Sequence, residues 1–139
     1  MTDPGIQTLL DDYFELMHTQ DMSLFDKVFH KDSNLYSSEN DELVIRSADL
    51  YRSQMEARTS PQDSGNARRD EVLFIDQISP EVALAKVQLE MFGGVMQDYL
   101  NLLRVDGSWF IISKLYKQVG KSAYIRQRQK RRSPLRRGG

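Results

Sequence analysis

The sequence predicts an α+β fold in which helices come first and a curved, mainly antiparallel β-sheet comes last. Residues 5–30 and 47–58 place apolar side chains at helical spacing, whereas residues 68–78, 82–92 and 96–116 carry β-branched and aromatic residues between turn signals. Asp106-Gly107 adds a strong two-residue hairpin signal inside the last run. A sheet built this way has one face that the helices can cover. The space between them is either a core or a pocket, and what lines it decides the function.

Asp3-Pro4 reads as a cap and first-turn pair, after which Ile6, Leu9, Leu10, Tyr13, Phe14, Leu16 and Met17 form one broad apolar face ending near Thr19. Asp21 can cap a second, short helix carrying Met22, Leu24, Phe25, Val28 and Phe29, which His30, Asp32 and Ser33 end. Residues 34–38 and 42–46 around Glu39, Asn40 and Asp41 predict a small hairpin. Ser47 starts a third helix with Leu50, Tyr51 and Met55, and residues 59–67 are the clearest loop. Ser79-Pro80 and Gly93-Gly94 mark the turns between the late strands.

With Asp106 and Gly107 as the loop, a regular ladder sets Arg104 against Trp109, Leu102 against Ile111, Leu100 against Ser113 and Asp98 against Leu115. Lys114 and Tyr99 then share the outer face. Tyr99, Asn101, Leu103, Phe110, Ile112, Lys114 and Tyr116 would form that face, and it is nearly as apolar as the helix side. A sheet apolar on both faces needs a second cover, and another copy of the same sheet is the simplest one. The expectation is a homodimer through these residues.

A chain of 139 residues without cysteine is one domain by length, with neither a disulfide scaffold nor a thiolate metal site. Its two histidines, His18 and His30, have no metal-ligand spacing, so no metal is expected. No dinucleotide, phosphate-loop or calcium-loop motif is present, so no cofactor is expected. The longest apolar runs fall well short of the ~20 residues of a membrane span, and a cytoplasmic location is expected, with the nucleus as the alternative. The net charge of −1 divides sharply: residues 1–120 hold 20 acidic and 11 basic residues, while 121–139 hold 8 basic residues and no acid. The expected organisation is a domain over 1–120 and a basic, largely disordered tail over 121–139. Such a tail offers weak, salt-sensitive contact with an anionic partner, nucleic acid or lipid, and the acidic body does not.

The order of two helices, a small hairpin, a third helix and three long strands resembles the cone-shaped fold of the nuclear transport factor 2-like superfamily, which includes ketosteroid isomerase, scytalone dehydratase and the polyketide-cyclase-like proteins. Within it, the segments IQTLLDDYFELMHTQDMSLFDKVFHKDSNLY, DQISPEVALAKVQLEM and DYLNLLRVDGSWFIISKLY are similar to the branch labelled lumazine-binding. The resemblance spans residues 5–117 and implies a dimer with one closed-bottomed pocket per subunit.

The candidate pocket residues are Tyr13, Met17 and Phe29 from the helices and Asp98, Leu100, Trp109, Ile111 and Ser113 from the sheet. Asp98 stands among apolar neighbours, where an unpaired carboxylate is costly. It is the candidate general acid or base, with Tyr13 as its partner, unless it is simply satisfied by backbone N–H groups, Ser113 or a tyrosine. Trp109 fits either as a core plug or as a wall for a flat ligand. The resemblance to the dehydratases implies a histidine beside the aspartate, yet His18 and His30 both read as surface residues at helix ends. The isomerase pattern asks for a second buried acid, and none is evident. Three readings follow: a binding protein for an unknown small molecule, a cofactor-independent isomerase, cyclase or dehydratase, and a dimerising adaptor with a contact tail.

Overall fold

The computed structural model describes residues 2–122. Helix α1 (Pro4–Thr19) starts where the Asp3 carboxylate accepts the Gly5 N–H at 2.8 Å, and it ends where Gln20 turns left-handed at φ 57°. Its buried residues are the seven that the spacing singles out, Ile6 through Met17. Asp21 caps a 3₁₀ turn, Met22–Leu24, which runs into a single helical turn, α2 (Phe25–Val28). The chain is already extended at Phe29, so His30, Asp32 and Ser33 do not end a helix. They lie within strand β1 (Phe29–Glu39), because Phe29 pairs in parallel with Ile111 and the sheet overrides local helical spacing.

Strand β2 (Glu42–Ser47) returns from β1 through Asn40 and Asp41, both at positive φ as a tight hairpin turn requires. Ser47 caps α3 (Ala48–Ala57) by accepting the Leu50 N–H; Tyr51 and Met55 are buried and Leu50 faces out. After the loop come β3 (Asp70–Ser79), β4 (Val82–Met91), β5 (Gly94–Val105) and β6 (Ser108–Lys121). The six strands are ordered β2-β1-β6-β5-β4-β3, and all neighbours run antiparallel except β1 and β6. The helices cover one face. Beneath them lie Ala83, Ala85 and Val87 of β4, Leu100 and Leu102 of β5, and Trp109 and Ile111 of β6.

The β5–β6 ladder starts as the sequence predicts, with Arg104 opposite Trp109 and Leu102 opposite Ile111. It then shifts by one. Asn101 pairs with Ser113, Leu100 with Lys114, Tyr99 with Leu115 and Asp98 with Tyr116, leaving Ile112 as the extra residue of a β-bulge. Side chains alternate every residue, so the bulge exchanges the faces of everything beyond it. Ser113 therefore points outward and its hydroxyl accepts the Asn101 amide at 2.7 Å, whereas Lys114 and Tyr116 point to the helix side. The expected placement of Ser113 in the pocket, of Lys114 and Tyr116 on the outer face, and of Lys114 against Tyr99 is corrected by this one insertion. The expected disorder of the tail falls outside the described residues, save that Lys121 is ordered as the end of β6 opposite Gly94 and the Ser122 N–H donates to the Gly93 carbonyl at 2.9 Å.

Candidate functional site

A hollow of about 250 Å³ lies between α1, α3 and the far end of the inner sheet face. Met17, Leu35, Tyr51, Leu89, Met91, Phe92 and Met96 give it apolar walls, and Arg46, Arg58, Asp98, Lys114, Tyr116 and Gln118 supply the polar groups. Each polar group arrives for a local reason. Asp98 and Tyr116 are a cross-strand pair, and Lys114 reaches the same face through the bulge. Arg46 stands opposite Leu35 on β2, and Arg58 closes α3 at its C-cap.

Asp98 is 2% exposed, and one carboxylate oxygen accepts the Tyr13 hydroxyl at 2.5 Å. The Lys114 ammonium is 3.9 Å from that same oxygen, an ion pair slightly too long for a direct hydrogen bond. Lys114 is itself 4% exposed and lies 5.2–5.6 Å from the ring centres of Tyr13, Tyr51 and Tyr116. Three π faces and one carboxylate thus replace the water that a buried ammonium loses. Burial, reinforced by the Asp98 charge, pushes the Tyr13 phenol well above its ordinary value, so Tyr13 is a hydrogen-bond donor throughout the neutral range.

The two arginines are held differently. Arg46 donates to the Tyr116 hydroxyl and, at 3.0 Å, to Gln54, and its guanidinium stacks over Tyr51 and Tyr116. Arg58 donates through Nε to Gln20 at 2.6 Å and lies under the Phe92 ring, while its buried Nη2 has no partner among the described residues. Phe92 occupies the first position of the β4–β5 turn at φ 52°, a conformation unusual for a bulky residue, and its N–H donates to Asn66 at 2.6 Å. The turn is Phe92-Gly93. Gly94 already belongs to β5, where an added Cβ would meet the Gln118 side chain at 2.9 Å.

Of the residues singled out from sequence, the hollow brings together Met17 and Asp98 as lining, with Tyr13 fully buried behind Asp98. Phe29, Leu100, Trp109 and Ile111 are buried core: Phe29 packs on Phe25, Tyr13 and Tyr51, and Trp109 closes the opposite end beside Gly5. His18 and His30 do not line the hollow; His30 stands edge-on to Phe110. Sequence reasoning missed Arg46, Arg58, Tyr51 and Phe92 as lining and placed Lys114 and Tyr116 on the wrong face. The alternation of β2 signalled Arg46; nothing in residue types signalled the bulge. Among the described residues no group of three or more His, Cys, Asp or Glu side chains could hold a metal ion.

Solved structures share this architecture. A nuclear transport factor 2-like protein of unknown function from Shewanella baltica has 21% identity and a TM-score of 0.71, covering 81% of this chain and 90% of that one. Similar proteins of unknown function from Silicibacter pomeroyi (21% identity, TM-score 0.68, 83% and 93% covered) and Methylobacillus flagellatus (23%, 0.68, 81% and 88%) show the same fold. No curated protein matches the chain. The family described as "Putative lumazine-binding" matches residues 2–117, so the chain belongs to that family and carries the α+β cone fold of the nuclear transport factor 2-like superfamily.

Proposed function

We propose that the protein binds a small organic molecule in the hollow between its helices and the inner sheet face. The supporting observation is that buried, mutually satisfied polar groups, Asp98, Tyr13 and Lys114, stand at the floor of a mostly apolar space. Burying such groups is costly, and a few fixed polar groups in an apolar cleft are the usual composition of a ligand site. Binding fits better than acid–base catalysis by Asp98 and Tyr13: the phenol is fully buried and committed to Asp98, which makes Tyr13 a positioning residue. A Met96→Trp variant fills the hollow from a half-buried position at the margin of the core. Small molecules retained from a metabolite mixture by the wild type should be lost from this variant; equal retention would reject the site.

The outer sheet face supports the companion reading of a homodimer. Tyr99 and Leu115 are 47% and 45% exposed as a cross-strand pair, Phe74 and Ile45 at the two ends of the same row are each 53% exposed, and Leu103 and Phe110 stand opposite one another nearer the Asp106-Gly107 turn. Asn101, bonded to Ser113, lies in the same patch, and Ile112 is the bulged residue beside it. So large an apolar strip is rarely left to water. Sedimentation at micromolar concentration should give twice the chain mass, and a Tyr99→Glu variant should give the single mass. For the basic segment 121–139 the proposal is non-specific contact with an anionic partner, nucleic acid or lipid, which should weaken steeply with salt and vanish on removal of residues 123–139.

A further inference from the structure

We infer that the ligand is a compact organic carboxylate, held with its anionic group toward the arginines and its flat body against the methionines and aromatic rings; this rests on the binding function proposed above. The first observation is a local reversal of charge. The body holds 20 acidic residues against 11 basic ones up to residue 120, yet among the described residues the hollow is lined by three cations, Arg46, Arg58 and Lys114, and by the single carboxylate of Asp98.

The second observation is that Asp98 answers only one of the three. It pairs with Lys114 and accepts the Tyr13 hydroxyl's hydrogen bond, whereas among the described residues Arg46 and Arg58 contact neutral groups alone, namely Gln54, Tyr116 and Gln20. Elsewhere in the described residues, Arg52, Arg68 and Arg69 each sit on a carboxylate, and Arg104, without one, is exposed to solvent. Two guanidinium groups beside a cavity in an acidic body, without a counter-ion among the described residues, point to an anion bound there. The buried, unpartnered Nη2 of Arg58 is the donor with most to gain, because an orphaned charged donor costs free energy that an incoming oxygen returns.

The third observation selects the class of anion. A guanidinium fork matches two in-plane oxygens, and among the described residues no glycine lines the hollow to bring backbone N–H groups onto a phosphate. The remaining wall is apolar or aromatic, including Tyr51, Phe92, Met91 and Met96. A volume of about 250 Å³ is at the small end of ligand sites, so the body is one or two rings in size.

Met17, Met91 and Met96 line the hollow, and Met22 and Met55 do not, which makes methyl-labelled methionine a direct reporter in the full-length protein. We would titrate the wild type with three matched pairs: benzoate and benzamide, 2-naphthoate and 2-naphthamide, indole-3-acetate and indole-3-acetamide. At least one acid should shift the three lining methyls and bind about tenfold or more tightly than its amide. Arg58→Gln, checked for an unchanged Met22 and Met55 spectrum, should shrink that ratio several-fold; an undiminished ratio would overturn the assignment of the anion to the arginines. Amides that shift the same methyls as well as the acids do would overturn the anion inference and leave the binding function standing. If no member of any pair moves Met17, Met91 or Met96, both fall.

Discussion

The two ends of the inner sheet face differ in kind, though the same strands build both. Near the Asp106-Gly107 turn, Leu100, Leu102, Trp109 and Ile111 pack into a dry core under α1. Beyond the bulge at Ile112, the same β5 and β6 present Asp98, Lys114, Tyr116, Met96 and Gln118 to a hollow. One inserted residue separates them. Without it, Ser113 and Leu115 would face the helices and Lys114 would face out, giving Asp98 a hydroxyl and an aliphatic neighbour in place of an ammonium. A bulge can therefore convert the far end of a core into a charged site without changing the residue types of either strand.

The dry end should be the more sensitive to truncation. Leu102 is 1% exposed, and Leu102→Ala should cost about 2–5 kcal/mol of unfolding free energy, read from chemical denaturation. A loss well under 1 kcal/mol would show that this end is not close-packed and would erase the contrast.

At the polar end Tyr13→Phe should cost about 1–2 kcal/mol at pH 7, since it removes a buried donor from Asp98. Its pH dependence is more telling. The phenol's folded value is raised above the unfolded value of about 10, so its contribution is fully present below pH ~10 and is lost as pH rises toward the folded value. The stability difference between wild type and Tyr13→Phe should be flat from pH 6 to 9 and shrink above pH 10. A difference that grows with alkalinity would contradict the burial of Tyr13 against Asp98.

Ser113 gives the smallest expected effect. Facing outward, bonded only to exposed Asn101, it should tolerate Ser113→Ala within about 0.5 kcal/mol by thermal denaturation. It should also leave binding of any small molecule unchanged. A selective loss of binding would put Ser113 back in the hollow and the bulge elsewhere.

Much of this was legible in the residues themselves. The Asp3 and Ser47 caps, the apolar face of α1, the Asn40-Asp41 and Asp106-Gly107 turns and the burial of Asp98 all follow from local chemistry that the folded chain keeps. Helical spacing continues to Phe29, and the parallel partner that draws Phe29 to Ser33 into a strand, β6, is remote in sequence. Lys114 was misread because ladder counting assumes no insertion, and neither Ile111 nor Ile112 carries a glycine or proline to announce one. Arg46 was signalled by the alternation of β2, whereas Arg58, at the end of α3, joins the hollow only through the packing of that helix on the sheet.

A double-mutant cycle with Asp98→Asn and Lys114→Met measures whether Lys114 faces Asp98. Asp98→Asn alone should cost about 2–3 kcal/mol, because it leaves a buried ammonium without its counter-charge. The two substitutions together should cost clearly less than the sum of each alone, with a coupling of about 1 kcal/mol or more. Additivity within about 0.3 kcal/mol is the result expected of Lys114 on the outer face beside Tyr99, and it would contradict the account.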